Sequence, residues 1–76
     1  MHRNAEKRGL LLNALYDARE SSPKNGWVFL KDLRALADDP EFALEILVEL
    51  GHVTDGSVKY KITAKGALAA EEADMR

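Results

Sequence analysis

The side chains with chemistry to offer are charged ones, and they are segregated. Lys59 and Lys61 alternate within "KYKIT", Lys31 and Arg34 sit one helical turn apart in "LKDLRALA", and Arg3, Lys7 and Arg8 crowd the start. Ammonium and guanidinium groups so placed suit phosphate oxygens, because each cation that meets a phosphate releases condensed counterions. Lys31 also opens a predicted helix, whose first amides favour an anion. Ordinary solubilising surface is the other use such cations have.

The opposite sign collects in the middle. From Asp38 to Gly56, "DDPEFALEILVELGHVTDG" holds six acidic residues and no Lys or Arg. At about 100° per residue, Glu41, Glu45 and Glu49 share a strip roughly 80° wide on a predicted helix. Phe42, Ala43, Leu44, Ile46, Leu47, Val48 and Leu50 fill nearly all the rest. An apolar arc of about 240° exceeds the roughly 100° stripe of a one-sided surface helix. The helix is therefore central to the core, or else Phe42 and Ile46, or Leu44 and Val48, flank the acids as a docking patch for a basic partner.

Nucleophilic and metal chemistry find little to use. Ser21 and Ser22 lie in a turn with no base nearby in sequence, and His2 and His52 lack a neighbouring ligand. There is no Cys, so thiolate metal sites and disulfides are out of reach, which agrees with a reducing compartment. No glycine-rich phosphate loop occurs. The expectation is a protein without enzymatic activity, metal or cofactor. Trp27 and Tyr60 could stack on bases, but in so small a chain aromatic strand residues are expected to fill the core.

Several elements must position these groups. The 76 residues suit one domain near the lower size for a self-sufficient core. With 46% hydrophobic and 32% charged residues the composition is that of a folded chain. Apolar runs of about four residues fall far short of the roughly 18 of a membrane span or the 7 to 15 of a leader core. A soluble, cytoplasmic protein is expected.

Leu11, Leu12, Leu15 and Ala18 recur at helical spacing over residues 5–20, with Asn4 placed to cap. "SSPKNG" reverses the chain through Pro23, Asn25 and Gly26. "WVFL", residues 27–30, reads as a short strand. A second helix follows over 31–37, with Leu30, Leu33, Leu36 and Ala37 on its stripe and Asp32 in its first turn. Asp39 as cap and Pro40 as first helical residue open the third helix, 40–50, and Gly51 ends it. Residues 52–62 form a hairpin around Asp55-Gly56, a pair suited to a type I′ turn. On its second strand Val58, Tyr60 and Ile62 take one face and Lys59 and Lys61 the other. Thr63 caps a last helix, 64–74.

"FLKDLRALA", "ALEILVELGHV" and especially "KYKITAKG" resemble, in this order and across nearly the whole chain, the winged helix-turn-helix superfamily of small bacterial and phage regulators. The resemblance implies an α+β fold: a three-helix core, a short strand, a two-stranded wing and a C-terminal helix. It also implies duplex DNA as partner, with helix 3 in the major groove and the wing on the adjacent backbone or groove. Here the residues object. A carboxylate held near a phosphate costs on the order of 1 kcal/mol even at water-like dielectric, and helix 3 would present three. The expected DNA contacts are therefore Lys31, Arg34, Lys59, Lys61, Arg3 and Lys7. The alternative is a protein-interaction module using Glu41, Phe42, Glu45, Ile46 and Glu49. Leu68 and the alanines of the last helix could pair two protomers.

Overall fold

The computed structural model describes residues 3–22 and 25–74. The expected roles of His2 and Pro23 lie outside them. The chain is α+β. In order it forms α1 (Arg3–Ser21), β1 (Val28–Phe29), α2 (Leu30–Leu36), α3 (Glu41–Glu49), β2 (Val53–Asp55), β3 (Lys59–Ile62) and α4 (Ala64–Asp74). The strands make one antiparallel sheet in the order β1-β3-β2.

The core forms where the apolar stripes of the helices meet the inner face of the sheet. Leu11 and Leu15 of α1, Leu33 of α2, Ala43, Leu44 and Leu47 of α3, Val53 of β2 and Ile62 of β3 are buried together. Pro40 is buried as well. Across the sheet Arg19 fastens α1 to β3, its guanidinium donating to the Ile62 carbonyl at 3.1 Å.

Several local expectations are corrected. Asn4 lies inside α1, which already includes Arg3, so its own backbone is helical and it does not occupy the cap position. The short strand loses both ends: Leu30 is the first residue of α2, and its N–H donates to the Val58 carbonyl at 2.8 Å. Leu36 is 48% exposed, because a helix of only two turns cannot turn every apolar residue to the core. Before α3, Asp39 takes φ of +46° and makes no capping bond. The cap position falls on Pro40, whose carbonyl accepts from the Leu44 N–H at 2.9 Å.

The hairpin turns two residues later than Asp55-Gly56. Gly56 donates to the Lys59 carbonyl at 2.8 Å, leaving Ser57 and Val58 at the tip. The Val58 N–H reaches back to the Gly56 carbonyl at 3.0 Å, Ser57 takes φ of +76°, and the Asp55 carboxylate accepts from the Ser57 N–H at 2.8 Å. Burial chooses this register. It sets Val53 opposite Ile62, joining the two most deeply buried side chains of the hairpin, 3% and 1% exposed. A turn on Asp55-Gly56 would pair Val53 with Val58 and leave Ile62 unmatched.

At the base of the hairpin Thr63 joins three elements. Its hydroxyl donates to the Gly51 carbonyl and accepts from the Gly66 N–H at 3.0 Å, the expected cap of α4. Gly51 has the positive φ, +81°, expected of the residue that ends α3. Gly66 lies so near β2 that an added Cβ would stand 2.1 Å from the His52 carbonyl oxygen.

Candidate nucleic-acid interface

Alternation along β3 decides which side chains reach the outer face of the sheet. Tyr60 and Ile62 point inward, Tyr60 half-buried against the core and Ile62 within it. Lys59 and Lys61 point out. β1 pairs Val28 with Tyr60 and Phe29 with Lys59, so Phe29 joins the lysines, and one residue back Trp27 comes abreast of Lys61.

Trp27 therefore sits on the outer face, half-buried, and not in the core where its size alone would place it. The Lys59 Nζ lies 4.9 Å from the indole centroid and the Lys61 Nζ 5.7 Å. Both distances fall within the range of cation–π attraction, worth about 0.5 to 1 kcal/mol each at such a site. Gly56 makes room for the ring, since a Cβ there would stand 2.8 Å from the indole Cζ3. Among the described residues neither lysine has an acidic partner within ion-pair distance. Thr54, the β2 residue opposite Lys61, is uncharged.

Lys31 lies one step along. It is exposed in the first turn of α2 and, with Phe29, Leu30, Arg34 and Val58, borders a shallow hollow at the hairpin tip. The Leu30 amide is already engaged with Val58.

Of the remaining expected cations, Arg34 is paired with an acid and Arg3 and Lys7 stand near acids. Arg34 forms a two-nitrogen ion pair with Glu41, its Nε donating to the Glu41 Oε2 at 2.9 Å. That hydrogen bond, with help from the backbone of Glu41 itself, holds this exposed carboxyl below the usual glutamate range. Arg34 is thus committed to α3. Arg3 and Lys7 share the first turns of α1 with Glu6 and, together with Leu10 and Asp38, line a hollow of mixed sign. Lys7 also lowers the Glu41 pKa slightly through space.

The acids gather as their spacing predicted. Glu41, Glu45 and Glu49 of α3, with Val48, border a second hollow that Asp55 and Tyr60 close from the hairpin. Burial, and after it the Asp55 and Glu41 charges, push the Tyr60 hydroxyl pKa above its ordinary value. Beside the strip Phe42 is 53% exposed, whereas Ile46 is only half-exposed and Leu44 buried. Of the two flanking pairs, Phe42 with Ile46 reaches the surface.

The structure thus brings Lys59 and Lys61 together, with Lys31 and the Glu41-paired Arg34 beside the tip, while Arg3 and Lys7 line a separate hollow at the start of α1. Sequence reasoning missed Trp27 and Phe29 as members of this face. Their alternation with Val28 and Leu30 was visible, but which pair faces outward depends on the register with β3. Among the described residues no group of acidic, His or Cys side chains could hold a metal, and no helix is long and apolar enough to cross a membrane. No family model, curated protein or solved structure matches the chain.

Proposed function

We propose that this protein is a small winged-helix regulator that binds duplex DNA through backbone contacts, in the cytoplasm of a bacterium or of a phage-infected cell. The observation that carries the reading is the pair of ammonium groups held over Trp27. A free lysine gives up rotamer entropy when it settles on a phosphate; here the indole has already ordered two of them, side by side and without competing carboxylates. Lys31 at the tip extends the charge toward α2. Such contacts position a protein on a duplex and carry no sequence information, so specificity would come from dimerisation or from a larger complex. Leu68 of α4, 61% exposed, supplies an apolar point where two protomers could meet.

Binding of a random duplex, followed by fluorescence anisotropy across a salt series, tests the reading. The native chain should bind more weakly as salt rises. Replacing Lys59 and Lys61 by Ala should flatten the log–log slope by about 1.8, the expectation for two lost phosphate contacts. An unchanged affinity and slope would exclude the hairpin as a contact.

A second reading has its own observation: the hollow of four carboxylates between α3 and the hairpin, flanked by the exposed Phe42. It fits a basic, partly apolar protein segment. Co-purification of such a partner, lost on Glu45→Lys with Glu49→Lys, together with no duplex binding at low salt, would favour this reading over the first.

A further inference from the structure

The outer face of the sheet carries more than charge. Trp27 and Phe29 stand two residues apart on one edge, Lys59 and Lys61 two residues apart on the neighbouring strand, and Phe29 is 51% exposed. Burying such a ring would be the expected use of a phenylalanine in so small a chain; here half of it faces solvent beside a cation.

We infer that this face is a binding platform for single-stranded nucleic acid, with Phe29 as the ring on which a base stacks and Lys59 and Lys61 as the phosphate contacts. The inference goes beyond the duplex reading and stands or falls separately from it. Three features carry it. The first is composition: aromatic rings interleaved with lysines, and an uncharged Thr54 beside them, match a polyanion whose bases present π-faces. An acidic peptide would match the lysines alone.

Exposure is the second. Both ammonium groups lie over the Trp27 ring, whereas half of Phe29 faces solvent, so Phe29 is the ring open to a base. A base reaches it only by leaving its own stack, which a single strand permits and a paired one resists. The third is order. The lysines already lie over the indole at 4.9 and 5.7 Å, so the cations that must follow the sugar-phosphate chain are fixed on the same rigid support as the rings.

Trp27 is the one tryptophan of the chain, so its emission reports on this face alone. The native protein is titrated with a short oligothymidylate at low salt, with a random duplex and with polyglutamate as parallel arms. The expected result is a change of Trp27 emission on oligothymidylate binding. Phe29→Ala should weaken that binding roughly tenfold, as for loss of one stacked base, and leave duplex binding as it was. Phe29→Leu keeps the apolar bulk, so the fold is preserved, and it should lose nearly as much. Lys59→Ala with Lys61→Ala should flatten the single-strand salt slope by about 1.4. An emission that does not respond to oligothymidylate overturns the inference, as does an affinity indifferent to Phe29, or polyglutamate competing as well as the oligonucleotide. In each of those cases duplex binding can persist and the regulator reading survive; oligothymidylate binding without duplex binding would remove that reading and leave the platform.

Discussion

Ser57 holds φ of +76° at the hairpin tip, a region that costs a residue with a Cβ roughly 1 to 2 kcal/mol. Its amide is anchored by Asp55, a bond that any residue at this position can make. Ser57→Gly should therefore relieve the strain, less the roughly 0.5 to 1 kcal/mol of extra chain entropy that glycine loses on folding. A net gain of about 0.5 kcal/mol or more is expected, read as a higher urea midpoint at constant m-value; a loss would place the energy of the tip in the Ser57 hydroxyl. Glu41 makes a second case. Because Arg34 lowers its pKa, the pair favours the folded chain above the range in which an unfolded glutamate titrates, and this contribution fades as pH falls through the lowered value. In a carboxyl NMR titration the Glu41 midpoint should lie below that of a model glutamate and move up in Arg34→Ala. The acids and cations were legible in the sequence one by one; the Arg34–Glu41 bond was not, because it spans the α2–α3 turn, whose path depends on the positive φ of Asp39.

At the scale of elements, α4 is placed by a close approach. Gly66 lets its first turn lie against the His52 carbonyl, while Thr63 ties that turn to the end of α3. Gly66→Ala should destabilise the protein by about 2 to 3 kcal/mol despite alanine's better helix propensity, since a backbone atom must move. Thr63→Ala should cost about 1 kcal/mol for the cap, and denaturant melts would rank the two; the reverse order would mean that the helix shifts freely. All four helices were legible from apolar spacing and from the Gly51 and Thr63 signals. Strand register was not. Asp55-Gly56 is a good local turn, but pairing Val53 with Ile62 buries more apolar surface than a favoured turn type returns, and the side to which Trp27 turned depended on a second register, that of β1 with β3.

Over the whole molecule the net charge of −2 conceals two fields of opposite sign. One belongs to the outer sheet face; the other fills the hollow between α3 and the hairpin. If duplex DNA is the partner, this hollow repels it, and Glu45→Lys with Glu49→Lys should tighten duplex binding by about tenfold or more, since each carboxylate removed near a phosphate is worth on the order of 1 kcal/mol. Weaker binding in the same assay would mean that the glutamates touch bases directly. The sign segregation was legible from the sequence; that Arg3, Lys7 and Arg34 fall among acids became visible only with the fold.

The first amide of α2 hangs from the carbonyl at the hairpin tip, Leu30 on Val58. A lever results: any ligand that draws the tip aside must either break that link or swing α2, and with it Leu33, against its neighbours. Isotope exchange at the Leu30 amide would then serve as a clock for excursions of the tip, slowing when something rests on it.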